Sequence, residues 1–169
     1  SMLAIPWYFA DALEMTSTYA MGYAILTFLS LFWSLYSGTL IDRYSRKKMF
    51  LYSNLVCAIL IGGIAAYGIM NEHTPWILAL AVFGVTLFHY NIHYPNLYAF
   101  GQEISEKKDY GKLNSYIEIQ GQSTSIFAGA ISAILLTGAA DGKLNLMGLN
   151  ITLPFKIEKW QIHEIFLMD

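Results

Sequence analysis

Residues Gly38 to Lys48 read GTLIDRYSRKK and separate two long uncharged runs, Ser17 to Ile41 and Met49 to Met70. Four cations (Arg43, Arg46, Lys47, Lys48) and one carboxylate (Asp42) therefore sit between two stretches of membrane-crossing length. About 20 apolar residues are needed to cross the hydrocarbon core as a helix. Both flanking runs exceed that and lack the period-2 alternation of strands. The short charged connection thus predicts an all-α membrane protein, a polytopic helical bundle.

Working outward, four complete spans are predicted at about 17–41, 49–70, 76–98 and 113–137. Residues 2–13 read as the last part of an earlier span. Residues 138–169 read as a long loop ending, from Trp160, in the start of a further one. Leu144 to Phe155 alternates apolar residues on both sides of Gly148 and predicts a β-hairpin. Its Asn150-Ile151-Thr152 sequon is read as chance. The chain is expected to be a piece of a longer polypeptide, with 1–137 as the bundle and 138–169 as an outer loop.

Seven of the ten Lys and Arg residues lie in the segments 42–48 and 99–112. The positive-inside rule puts those segments in the cytoplasm and 138–169 outside. In the whole chain 56% of residues are hydrophobic and 13% are charged, with a mean hydropathy of +0.44. Soluble domains carry roughly a quarter charged residues. The net charge of −2 argues against a nucleic-acid partner. A single cysteine, Cys57, excludes a disulfide framework. No cofactor and no metal site is expected.

Polar residues in membrane spans mark packing contacts or a wet cavity. Tyr23, Thr27, Ser30, Ser34 and Ser37 form one face. Thr86, His89, His93 and Asn96 form a second, and Ser115, Glu118, Gln122, Ser125, Gly129 and Ser132 a third. These three faces are expected to meet around a cavity. Span 49–70, with Gly62 and Ala66 spaced for packing, is expected outside against lipid. Glu118, an acid at membrane depth, is the main candidate for proton exchange. His89 and His93, four apart, are candidates to line the cavity or sense protons; two imidazoles fall short of a zinc set. Gln122 and Asp11 complete the candidate cavity residues. Trp7, Tyr8 and Trp76 fit an aromatic belt, and Pro95 signals a kink or a helix end. No nucleophile–base pair is present, so an enzyme is not expected.

Gly38-x-x-x-Asp42-Arg43-x-x-Arg46-Lys47 resembles the loop between spans two and three of major facilitator superfamily transporters, G-x-x-x-D-R/K-x-G-R-R/K. Position 45 is Ser where that pattern has Gly. Ile5-Pro6-Trp7-Tyr8, Pro95-Asn96 and Lys112-Leu113-Asn114 resemble features of spans one, four and five in the drug-efflux branch. Span 76–98 has no Arg, and the Gly-Pro-centred motif of span five reads Ala128-Gly129. The resemblance implies most of the amino-terminal half of a twelve-span transporter in the inner membrane. Its implied partners are a small amphipathic substrate, a proton or other coupling cation, the bilayer and the missing carboxy-terminal half. Gly38, Asp42, Arg43, Arg46 and Lys47 are then the gating motif. A non-transporting sensor or interaction subunit of the same fold is the alternative.

Overall fold

A computed structural model describes residues 2–138, 143–146, 149–152, 154 and 156–168. A short helix α1 (Ala4–Trp7) runs on into a π-helical turn at Tyr8–Ala12. Four long helices follow: α2 (Thr16–Arg43), α3 (Arg46–Asn71), α4 (Trp76–Ile104) and α5 (Tyr110–Thr137). All four are long and apolar enough to cross a membrane. Uninterrupted helices are what lipid demands, because they pair their own backbone groups. Strands β1 (Lys143–Leu146) and β2 (Leu149–Thr152) pair antiparallel, with Leu146 opposite Leu149. The intervening residues 147 and 148 lie outside the described residues. A last short helix, α6 (Ile162–Ile165), ends in a 3₁₀ turn at Phe166–Met168.

The helices overrun the predicted spans at their polar ends. Only Tyr44 and Ser45 separate α2 from α3, so Arg43, Arg46, Lys47 and Lys48 sit on helical turns. Long cationic side chains reach water from a helix end without unwinding it. Likewise α4 continues through Pro95 to Ile104. Pro95 therefore does not end the helix. The connection to α5 shrinks to Ser105–Asp109, including a 3₁₀ turn at Lys107–Asp109.

Helix α4 is the hub, packed against both α2 and α3. The α2–α4 seam uses small residues: Gly22 lies under Leu80, and Gly84 under Leu26. On α3 the packing positions are Ile61, Ala65 and Gly68. Gly62 faces open space and Ala66 is exposed, so the close-packing expectation for that pair fails. At Gly68 a methyl group would overlap His163, which is how α6 seats on α3. The buried His163 lies 3.4 Å from the Thr74 hydroxyl, and the Tyr8 hydroxyl donates to the Thr74 carbonyl at 2.8 Å. Tyr8 thus fastens α1 to the α3–α4 turn, a role beyond the belt assigned to it. At the end of α5, Gly138 takes a positive φ of 69° and Trp160 N–H returns to the Leu135 carbonyl.

Candidate functional site

Two places bring the candidate side chains together. The first is the charged end, where α2 passes into α3. Its cleft is lined by Ile41, Asp42, Tyr44, Ser45, Arg46, Lys47, Phe100 and Glu103. Asn96, fully buried on α4, donates from Nδ2 to the Arg46 carbonyl at 3.0 Å. The Arg46 guanidinium turns the same way. It donates to the Ala99 carbonyl and lies 3.5 Å from the Glu103 carboxylate. Among the described residues Arg46 makes no ion pair with Asp42 and is held by α4. Its position in the first turn of α3 explains this, since Cβ vectors there lean toward the helix start and the adjacent α4 end.

Asp42, Arg43 and Lys47 are exposed, and among the described residues no ion pair reaches them. Around Gly38 no side chain lies within 4 Å of where a Cβ would stand. Among the described residues, then, nothing packs closely on α2 at Gly38. The motif divides in two: Arg46 is committed to α4, while Gly38 and Asp42 face open space.

The second place is an open cleft of about 980 Å³ between α3, α4 and α5. Helix α4 contributes His89, Tyr90, His93 and Tyr94. Helix α5 contributes Gln120, Thr124 and small residues, and Asn54, Cys57 and Gly62 of α3 complete the wall. Met2, Leu3 and Phe166–Met168 bound the cleft as well. The rings of His89 and His93 lie 5.2 Å apart, and those of Tyr90 and Tyr94 stack at 5.2 Å. Phe50 meets His93 edge-on. The Nδ1 atoms of both histidines are buried without a hydrogen-bond partner among the described residues. Unpaired buried nitrogens beside a cleft are positions where a ligand can supply the missing bond. Among the described residues no three His, Cys, Asp or Glu side chains converge to hold a metal ion.

The walls of this cleft differ from those expected. Helix α3, expected against lipid, lines it; α2 does not. Ser30 and Ser37, the buried serines of α2, need no water, because they bond to carbonyls. Ser30 donates to Thr27 at 2.8 Å, and Ser37 reaches the Ser34 and Asn91 carbonyls. Being small and self-satisfied, they become packing surface against α4. Trp33 adds an Nε1 bond to the Phe88 carbonyl at 2.9 Å.

Of the remaining candidates, Glu118 lies outside the cleft, toward the charged end of α5, and accepts a hydrogen bond from the Tyr98 hydroxyl. Among the described residues no ion pair joins Glu118 to a Lys or Arg. Gln122 and Asp11 are exposed and do not line the cleft. Tyr98, Glu103, Tyr90 and Tyr94 escaped the sequence reading. The i, i+4 repeat of His89/His93 continues one position over in Tyr90/Tyr94, a signal that was available. Glu103 falls in the segment 99–112, beyond the predicted span, whereas α4 continues through it.

A family model described as Major Facilitator Superfamily matches residues 1–140. The chain belongs to the Major Facilitator Superfamily. Searches of curated proteins and of solved structures return no match. Members of the superfamily are membrane transporters rather than enzymes, and the apolar helices make this chain a multi-pass membrane protein. The superfamily match takes in α1 to α5, and so contains both the charged end and the cleft.

Proposed function

We propose that this chain is most of the amino-terminal half of a secondary active transporter of the drug-efflux-like branch. It exports a small amphipathic molecule by alternating access. The charged end faces the cytoplasm of a cell with an inner membrane, as the excess of Lys and Arg there argues. Residues 138–169 face outward.

The observation that carries the reading is the division of the charged motif. Arg46 is tied to α4, whereas Gly38 and Asp42 stand open at the end of α2. A glycine and a carboxylate one helical turn apart suit the approach of another helix by its positive amino terminus. That helix belongs to the carboxy-terminal half of the same polypeptide. Closing on Asp42 seals the cytoplasmic side, and opening releases it. Arg43 and Lys47 face solvent and anionic lipid.

The coupling ion in this reading is a proton. Glu118, bonded to Tyr98 within a transmembrane helix, carries it. His89 and His93 offer their unpaired nitrogens to the substrate. Reconstitution of the full-length protein in proteoliposomes with a panel of amphipathic fluorescent compounds tests the reading. Flux above protein-free vesicles, driven by a pH gradient, is expected. Flux no greater than in protein-free vesicles would favour a non-transporting sensor of the same fold.

A further inference from the structure

Pro95 lies inside α4 and has no N–H to donate. The carbonyl four residues earlier, that of Asn91, is therefore left without its donor from the helix ladder. In a lipid-embedded helix such a carbonyl must be satisfied by a neighbour. Ser37 of α2 is that neighbour. Its hydroxyl lies 2.9 Å from the Asn91 carbonyl oxygen, and the residue is 1% exposed. The same hydroxyl also lies 2.9 Å from the Ser34 carbonyl. It has only one proton to give. Ser34 already receives the Gly38 N–H within α2, so the acceptor in need is Asn91.

The position of this bond matters. Ser37 immediately precedes Gly38, where the charged connection begins. On the far side of the connection, Asn96 and Ala99 of α4 hold the backbone and guanidinium of Arg46. Both sides are thus anchored on one stretch of α4, on either side of the Pro95 gap. We propose that Ser37 is a positioning residue that fills the gap left by Pro95 and so makes the charged connection move with the lower half of α4 as a single body. The proposal deepens the transport reading and rests on it for its role in gating; the bond itself requires no substrate.

The test is a double-mutant cycle in the membrane-reconstituted full-length protein, read by hydrogen–deuterium exchange of segment 38–45. Ser37→Ala should speed exchange about five-fold, the effect of losing one net hydrogen bond. Ser37→Thr keeps the hydroxyl and should stay within about two-fold of the wild type. Pro95→Ala supplies an N–H to the Asn91 carbonyl. In that background Ser37→Ala should change exchange by less than about two-fold. If Ser37→Ala alone does not accumulate, Pro95→Ala should restore accumulation. Equal acceleration in both backgrounds, no acceleration by Ser37→Ala, or no restoration would overturn the proposal. None of these readouts involves transport. Background-dependent exchange in a protein without flux would therefore sink the transport reading and leave the coupler standing.

Discussion

The two sides of α4 are built differently. Toward α2 the helices interlock: glycines sit beneath leucines at Gly22–Leu80 and Gly84–Leu26, and Trp33 and Ser37 bond to α4 carbonyls. Toward α5 contact narrows to a few places. Leu113 covers Gly101, the Tyr94 hydroxyl lies near Gly121, and Tyr98 reaches Glu118. Between these points the cleft stays open. One seam is a fixed pair held by small residues and backbone bonds. The other keeps titratable side chains apart from tight packing, as a route for a ligand or a proton requires. Polarity alone did not distinguish them, because both seams carry hydroxyls at steps of three and four.

Substitutions should separate the seams. The largest stability effect is expected at Gly22. A methyl there would already stand 2.7 Å from Leu80 atoms. Gly22→Leu should cost about 1–3 kcal/mol by overpacking, read as a lower unfolding temperature in detergent. Trp33→Phe removes the bond to the Phe88 carbonyl and should cost about 1 kcal/mol in the same measurement. On the α5 side, Glu118→Gln should leave stability within about 0.5 kcal/mol. It should nonetheless flatten the dependence of flux on pH; an unchanged pH profile would remove Glu118 as the proton carrier. Gln122→Ala, at an exposed position, should change stability by less than about 0.5 kcal/mol. A Gln122→Ala cost as large as that of Gly22→Leu would erase the contrast between the seams.

The bundle was legible because lipid restricts the chain to long apolar helices, and length alone reveals those. The ends were less so. Arg43 and Arg46 mark the membrane boundary, yet both are helical, since a long cationic side chain can leave lipid while its backbone stays wound. Neighbours were least legible. The serines of α2 promise a polar face by type and spacing, but Ser30 and Ser37 spend their protons on carbonyls and become packing surface. Helix α3, almost wholly apolar, still lines the cleft through Asn54, Cys57 and Gly62. Periodicity shows which residues share a face, not which helix the face meets. His89 and His93 were found by spacing; the partners of Glu118 and Arg46 were missed because Tyr98 and Glu103 lay at or beyond the predicted end of α4.

The most direct test of the account is flux through the full-length protein in proteoliposomes, wild type against Asp42→Ala, at equal amounts of inserted protein. The account predicts flux driven by a pH gradient in the wild type and at least a ten-fold loss in Asp42→Ala, about 1.4 kcal/mol of lost stabilisation. Equal flux in the two proteins would contradict the gating role of the charged connection.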